Sequence, residues 1–355
     1  MKIVQMLPSL SFGDAVGNDA LALDDALRQA GYETAIYAEN ISPKLENVRA
    51  RKVRFYEDAP DTVVLYHLST GTPMTEYVAG LQARVIVIYH NITPVEYFDP
   101  VATFAESRKL RGREEARALA LKAVAAFADS DFNRRDLKEI GFTCPIEVLP
   151  ILIPFEDYAR TPDAGTLAGY TGDGLTNIVF VGRVFPNKCH QDLIASFTYY
   201  QRHFNEKSRL FLVGSFDESG PYFRDLQEYV HRLGPANVIF TNHISFEKIL
   251  AYYHLADLFL CLSEHEGFCV PLVEAMYFGK PIVAYDSSAV GETLGGSGIL
   301  LPEKDPKVVA SAMDLVLTRP DLKEALVEGE RARLRDFDNA VIRDQFLGYL
   351  KKYLG

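Results

Sequence analysis

The sequence predicts an α/β protein of two Rossmann-like, parallel-sheet domains, and three observations carry that prediction. Short apolar runs bounded by turn residues alternate with helical stretches, the pattern of a parallel sheet wrapped by helices. At 355 residues the chain is too long for one ordinary core and suits two domains of about 150 residues. Between the two sets of runs lies Tyr158–Thr176, a polar stretch with Pro162, Gly165, Gly169, Gly172 and Gly174, the best linker in the chain.

In the first half, strands are expected at Ile3–Leu7, Thr34–Tyr37, Val63–His67, Val85–Tyr89, Ala125–Ala128 and Ile146–Leu149. Met1–Pro8 is apolar but too short for a signal-peptide core, and it leads straight into a glycine loop, so it reads as the first strand. A helix of about Asn18–Ala30 follows. Residues 102–127 read as a second helix, with Arg108, Lys109, Arg111, Arg113, Arg117 and Lys122 against Glu106, Glu114 and Glu115. That basic excess suits either a solvated face with internal ion pairs or docking on an anionic membrane or lipid pyrophosphate.

In the second half, strands are expected at Ile178–Val181, Arg209–Val213, Val238–Phe240, Leu258–Leu262, Ile282–Ala284 and Gly298–Leu301, with helices from about Gln191 and over Val270–Gly279. A closing helix, Asn339–Leu354, has Val341, Phe346, Leu347, Tyr349 and Leu350 at roughly helical spacing. The expected domains are 1–160, 161–338, and a terminal helix 339–355.

Composition narrows the function. A net charge of −11 argues against a nucleic-acid partner, which would want a basic face. Cys144, Cys189, Cys261 and Cys269 lie in or beside apolar segments without CxxC spacing and read as reduced thiols of a cytoplasmic protein. No apolar run is long enough to span a membrane.

The most informative stretch is Glu266-Gly-Phe-Cys-Val-Pro-Leu-Val-Glu274. Glu274 sits among Val270, Leu272, Val273, Ala275, Met276 and Phe278, so it should be partly buried, and burial without partners is costly. A ribose diol would satisfy both of its oxygens; a paired lysine is the plainer alternative. The amides of Gly267, Phe268, Cys269 and Val270 fall near a helix N-terminus, where N–H groups and the helix dipole favour anions. Upstream, Asn177-Ile-Val-Phe-Val-Gly-Arg183 reads as a buried strand, with Arg183 and Lys188 projecting from its carboxyl end, where open α/β sheets bind ligands. Two fixed cations there would neutralise a diphosphate leaving group without a metal.

With these residues the chain resembles the retaining glycosyltransferases of the GT-B fold, specifically the GT4 family (glycosyl transferases group 1) of the bacterial polysaccharide type. The matching features are Phe180-Val-Gly-Arg183 with Lys188, Leu212-Val-Gly214, Val238–Ile244, Tyr252–Asp257, Ser263-Glu-His-Glu-Gly-Phe268 and Glu274–Pro281. Their order matches from roughly Ile178 to Pro302, while the first half matches loosely. The family's Pro-Asn-Gly turn is here Leu149-Pro-Ile-Leu-Ile-Pro154, so its backbone contacts are not carried over.

The resemblance implies two domains facing a cleft and a terminal helix that crosses back to the first. It implies hexose transfer from a nucleoside diphosphate sugar, GDP-mannose ahead of UDP-hexoses, to a saccharide or lipid-linked saccharide. No cofactor is needed. The catalytic set would be His90, Arg183, Lys188 and Glu266, with His90 lining the reacting sugar. The donor would meet Gly13, Arg183, Lys188, His243, Gly267, Phe268, Cys269, Val270 and Glu274, and the acceptor side would hold Asp14 and His67. Asp14 reads equally as a helix cap. Asp129-Ser-Asp131 matches the metal-binding DxD of the other large glycosyltransferase fold, but its place after a strand reads as a turn and cap, so no metal is expected. A sugar-nucleotide epimerase and a noncatalytic sugar-nucleotide binding subunit are the alternatives. A dinucleotide oxidoreductase would want a GxGxxG that neither half opens with.

Overall fold

A computed structural model describes residues 1–11, 13–43, 45, 49–98 and 111–355. The chain forms two compact units, Met1–Pro154 with Phe337–Gly355, and Phe155–Asp336. The first is built from β1 (Lys2–Leu10), α1 (Ala15–Gln29), β2 (Glu33–Ile41), β3 (Ala50–Lys52), β4 (Thr62–Leu68), α2 (Pro73–Ala79), β5 (Arg84–Tyr89), α3 (Gly112–Ala120), β6 (Ala123–Ala128), α4 (Asp131–Ile140) and β7 (Ile146–Val148). These strands form one seven-stranded sheet in the order β3-β2-β1-β4-β5-β6-β7, with every pairing parallel. The second contains α5 (Ala164–Tyr170), β8 (Thr176–Val181), α6 (His190–His203), β9 (Ser208–Val213), α7 (Pro221–Leu233), β10 (Val238–Phe240), α8 (Phe246–Leu255), β11 (Leu258–Cys261), α9 (Val270–Tyr277), β12 (Ile282–Tyr285), α10 (Val290–Leu294), β13 (Ile299–Leu301), α11 (Pro306–Thr318) and α12 (Pro320–Leu334). Its six strands run β10-β9-β8-β11-β12-β13, again all parallel.

Parallel strands covered on both faces need apolar residues at every position, which is why these runs do not alternate with polar residues. Val64, Tyr66, Val85, Val87, Tyr89, Ala126 and Ala128 fill one side of the first sheet. Their neighbours Ile3, Val63, Leu65, Ile86, Ile88, Ala125 and Phe127 fill the other, where α1 supplies Leu23, Ala26 and Leu27. The same cluster is completed by α13 (Asn339–Leu354), whose Ile342, Phe346, Leu350 and Leu354 recur every four residues. The expected stripe was thus partly misplaced: Val341 is half exposed, and Ile342 takes the buried position.

Two expectations need correction. Residues 102–127 are not one helix. Those at 102–110 lie outside the described residues, α3 ends at Ala120, and Ala123–Ala128 is strand β6. Alanine favours a helix, but pairing between β5 and β7 overrides that preference. Of the basic residues there, Arg113 pairs with Asp136 and Glu139; the apolar Leu121, just past α3, is almost fully exposed. The stretch expected as a linker is folded. Asp163 caps α5 by accepting from the Thr166 amide at 2.7 Å, and Asp173 pairs with Arg209 at 2.8 Å. The division falls between Pro154 and Phe155.

Candidate functional site

Both sheets reverse their strand order at the centre, between β1 and β4 in the first and between β8 and β11 in the second. Such switch points open a crevice at the carboxyl ends of the strands. Apart from His243, the sequence-predicted residues follow strands at or beside these points, in two groups, one per unit.

In the second unit, β8 is followed by Gly182 and Arg183, then a single turn Pro186–Lys188. A Cβ on Gly214 would sit 2.0 Å from the Gly182 carbonyl oxygen, so the loops after β8 and β9 meet backbone to backbone. Lys188 Nζ donates to Glu266 Oε1 at 2.6 Å, joining the loops after β8 and β11. Burial alone would lower the lysine pKa, but the Glu266 charge and the neighbouring Cys269 and Cys261 outweigh it and raise the value. Arg183 is exposed, its guanidinium 5.4 Å over the Phe185 ring.

The Glu266 loop is fixed on several sides. Its amide donates to Ser288 Oγ at 2.8 Å, Asn187 Nδ2 donates to the His265 carbonyl at 2.8 Å, and Ser287 Oγ donates to the Ser263 carbonyl at 2.5 Å. Thr293 Oγ1 donates to the Phe268 carbonyl. Cys269 then opens α9 from the left-handed region at φ 74°, and Cys189 opens α6 likewise at φ 53°. Left-handed backbone at a residue with a side chain costs roughly 1–2 kcal/mol and clusters at functional sites. Here it turns the Glu266 loop into the start of α9. His243, expected at the donor, is exposed beyond the end of β10.

Glu274 lies on α9, and its partners are neither a lysine nor an empty space. Tyr158 Oη donates to one carboxylate oxygen at 2.9 Å and Tyr253 Oη to the other at 2.5 Å. Burial raises its pKa, and the two hydroxyls only partly offset this. Each carboxylate oxygen keeps a second lone pair for a further donor. Tyr158 belongs to the stretch expected as a linker, and its ring packs against Phe155, Phe246, Tyr277 and Phe278. Sequence reasoning missed both tyrosines; Tyr253 lies within a quoted motif, but nothing local aims it at Glu274.

In the first unit, β1 leads through Gly13 (φ 76°) to Asp14, which caps α1 by accepting from the Gly17 amide at 3.2 Å. The cap reading of Asp14 therefore holds. His90 follows β5. Its Nδ1 lies 2.9 Å from Asp129 Oδ2, and its Nε2 lies 2.9 Å from His67 Nδ1. His67 Nε2 in turn lies 2.8 Å from Gln5 Oε1. His67, expected on the acceptor side, is fully buried and touches His90. The His90 side chain is only 3% exposed, so both ring nitrogens are spent inside the unit. Asp129 is a partner of His90, Ser130 caps α4, and Asp131 pairs with Arg134 and Arg135, the turn and cap read from the sequence.

Three groups among the described residues have ligand atoms within 4.8 Å of one another: Asp19, His67 and His90; Cys261, Glu266 and Cys269; Cys189, Asp192 and Glu264. Each is already engaged internally. The two histidines bond each other, Lys188 holds Glu266, and Lys304 bridges Asp192 and Glu264 at 2.5 and 2.6 Å. A metal would have to displace these partners.

Residues 172–333, most of the second unit, match the family model described as Glycosyl transferases group 1. An alpha-D-kanosaminyltransferase from Streptomyces kanamyceticus is 25% identical over 238 residues, covering 65% of this chain and 58% of the relative. A phosphatidyl-myo-inositol mannosyltransferase from Mycobacterium leprae is 28% identical over 232 residues, covering 64% and 58%. The chain spans about half the length of the curated relatives it matches. Among solved structures, Anabaena Alr3699/HepE in complex with UDP and glucose is similar with a TM-score of 0.77 and 17% identity, over 99% of this chain and 100% of that one. That likeness is one of fold, and it agrees with the GT-B architecture implied by the sequence.

Proposed function

Taking the glycosyl transferases group 1 domain of residues 172–333 as the premise, we propose that the chain moves a hexose from a nucleoside diphosphate sugar to a hydroxyl acceptor. The transfer retains anomeric configuration, needs no metal, and serves polysaccharide or glycolipid assembly. The observation that carries this reading is the meeting of Lys188, Glu266 and the α9 N-terminus at the second switch point, with Arg183 exposed on the same loop as Lys188.

As the anomeric carbon–oxygen bond breaks, negative charge builds on the departing phosphate. Arg183 and the Lys188 N–H groups not donated to Glu266 then bind the transition state better than the ground state. The Glu266 carboxylate and the amides of Gly267–Val270 hold the sugar hydroxyls. Glu274 takes the ribose through the lone pairs its tyrosines leave free, and the leaving phosphate oxygen accepts the acceptor's proton. The mycobacterial mannosyltransferase supports mannose as the hexose, for which GDP-mannose is the donor proposed here, and the HepE complexes with UDP-glucose support a UDP-hexose.

A thermal-shift panel of nucleoside diphosphates and their sugars separates these donors, because a tight ligand stabilises by mass action. Turnover measured with and without acceptor separates transfer from epimerisation. If no nucleotide sugar shifts the melting temperature, the reading fails.

No helix among the described residues is long and apolar enough to cross a membrane. The proposed setting is the cytoplasm, with peripheral contact at an anionic membrane through Arg111, Arg117, Lys122 and exposed Leu121. Co-sedimentation with anionic vesicles, lost in 0.5 M salt to a degree set by screening at about 4 Å or less, is the check.

A further inference from the structure

The chain of side chains behind His90 fixes the proton on every nitrogen. Gln5 Nε2 lies 2.8 Å from the Ala20 carbonyl, which only accepts, so Gln5 turns its NH2 there and its oxygen toward His67. His67 Nε2 must then carry a hydrogen. Complete burial, with His90 beside it, holds His67 neutral by pulling its pKa well below the ordinary value, so its Nδ1 offers only a lone pair. His90 Nε2 must therefore carry a hydrogen to bridge the 2.9 Å to it. On the other side of the His90 ring, Nδ1 lies 2.9 Å from Asp129. Burial raises the Asp129 pKa while His90 lowers it, and against its own burial the His90 pKa is raised by Asp129, Asp19 and Asp14 together, which puts the shared hydrogen on Nδ1. Both nitrogens protonated means an imidazolium.

The setting suits that charge. Asp129 is 4% exposed and would be an uncompensated buried anion without it. Among the described residues, the other titratable groups acting on the ring are Asp19 and Asp14, from α1 and its cap, and neutral His67 from β4. The ring lies parallel to that of His67, tilted by only 4°. While the His90 side chain is 3% exposed, the residue as a whole is partly exposed, so its main chain is what reaches solvent. That main chain is held from the far side too: Asn91 stands at φ 77°, its Nδ2 donates to Asn133 Oδ1 at 2.8 Å, and Asn133 Nδ2 donates to the Tyr89 carbonyl at 3.1 Å.

We propose that Asp129, His67 and Gln5 are positioning residues that lock His90 as a buried imidazolium and so fix the end of β5 at the first unit's switch point. The role in turnover rests on the glycosyl-transfer reading; the protonation state does not. In this arrangement a change at Asp129 acts on the reaction through the ring it holds, and the ring acts through the backbone it anchors.

The test uses the full chain labelled with nitrogen-15 histidine. The His90 ring should show two protonated nitrogens and keep them to higher pH than an ordinary histidine. In Asp129→Asn that state should be lost at lower pH, because an amide accepts a hydrogen bond without supplying charge. The kcat should then fall by roughly a hundredfold, the scale for a misplaced reacting geometry, with little change in KM for the donor. His67→Gln keeps an acceptor for His90 and a donor for Gln5, so it should retain more turnover and more of the protonated state than His67→Leu. Melting temperatures of all three variants show that they are folded. The proposal is overturned if the His90 ring is neutral in the unsubstituted chain, if Asp129→Asn leaves its titration unchanged, or if the variants lose turnover in step with stability alone. Absence of turnover in the unsubstituted chain with every donor would sink the transfer reading, while the spectra would still decide the protonation state.

Discussion

Glu266→Gln separates the two roles proposed for the partners of one ion pair. Lys188 Nζ lies 2.6 Å from Glu266 Oε1, with the carboxylate side chain about a tenth exposed and the lysine about a fifth. At an effective dielectric of about 20, two unit charges at that distance attract by roughly 6 kcal/mol. Desolvation takes back most of it, leaving about 1.5–3 kcal/mol for a charge-assisted hydrogen bond. In the ligand-free chain that interaction would compete with a diphosphate for the same ammonium. Glutamine keeps an acceptor oxygen for Lys188 but removes the competing charge. Nucleoside diphosphate affinity should therefore hold or tighten, by up to about tenfold, or ~1.4 kcal/mol. Transfer should fall about a hundredfold, ~2.7 kcal/mol, because a sugar contact made in the transition state is lost. Calorimetric titration with diphosphates at low and high salt reads the first term, and turnover at saturating donor reads the second. The gain in affinity should shrink in high salt, where charges are screened. A tenfold loss of diphosphate binding in Glu266→Gln would refute the reasoning, since Glu266 would then be supporting the phosphate site.

Four further outcomes are expected. Arg183→Ala removes the exposed cation on the β8 loop and should lower turnover at saturating donor about a hundredfold; unchanged turnover would remove it from the site. Glu274→Gln should weaken diphosphate and intact donor alike by about 1.5–3 kcal/mol, and a titration showing loss for the donor alone would move Glu274 away from the ribose. Phe346→Ala opens a hole against Phe127 and should cost about 3–5 kcal/mol, read as a lowered midpoint for the first unit in denaturant. Glu330 is fully buried, and burial raises its pKa to about 8 from 4.5, with one oxygen accepting from the Ile282 amide at 2.9 Å. A raised acid holds its proton longer when folded than unfolded, so stability should fall as pH rises from about 4.5 through about 8, by at most ~1.4 kcal/mol per pH unit. Glu330→Gln should match the unsubstituted chain near pH 4.5 and exceed it above pH 8; equal pH dependence of the two melting curves would exclude Glu330.

Most strands were legible because buried parallel strands leave dense apolar runs with turn residues on either side. Ile178–Val181 and Val85–Tyr89 fall within β8 and β5 by that signal. The edge strand β3 was missed, for three residues with one partner strand leave almost no pattern. At the site, sequence order pointed to Arg183, Lys188, Glu266 and Glu274 but not to how they are paired. Lys188 and Glu266 are 78 positions apart and meet because β8 and β11 are neighbours, each ending at the same switch point. Their positions after two strands were the available hint, but it needed the strand order. The same holds for His67 and His90, which end adjacent strands and were read separately. Glu274 shows the limit most plainly: its burial was predictable, yet its partners Tyr158 and Tyr253 come from segments with no local reason to converge.

The first unit is written into the chain as two pieces, with the whole second unit between them. During synthesis, at about 5–20 residues per second, α13 emerges roughly 10–40 seconds after Pro154. Over that interval Ile3, Val63, Leu65, Ile86 and Phe127 lack the cover of Ile342, Phe346 and Leu350. The second unit, continuous in sequence, can finish its core first, so the half made earliest is the half completed last. A nascent chain stalled before Phe337 would carry one finished unit and one with an open apolar face, a natural substrate for chaperones that bind such surfaces.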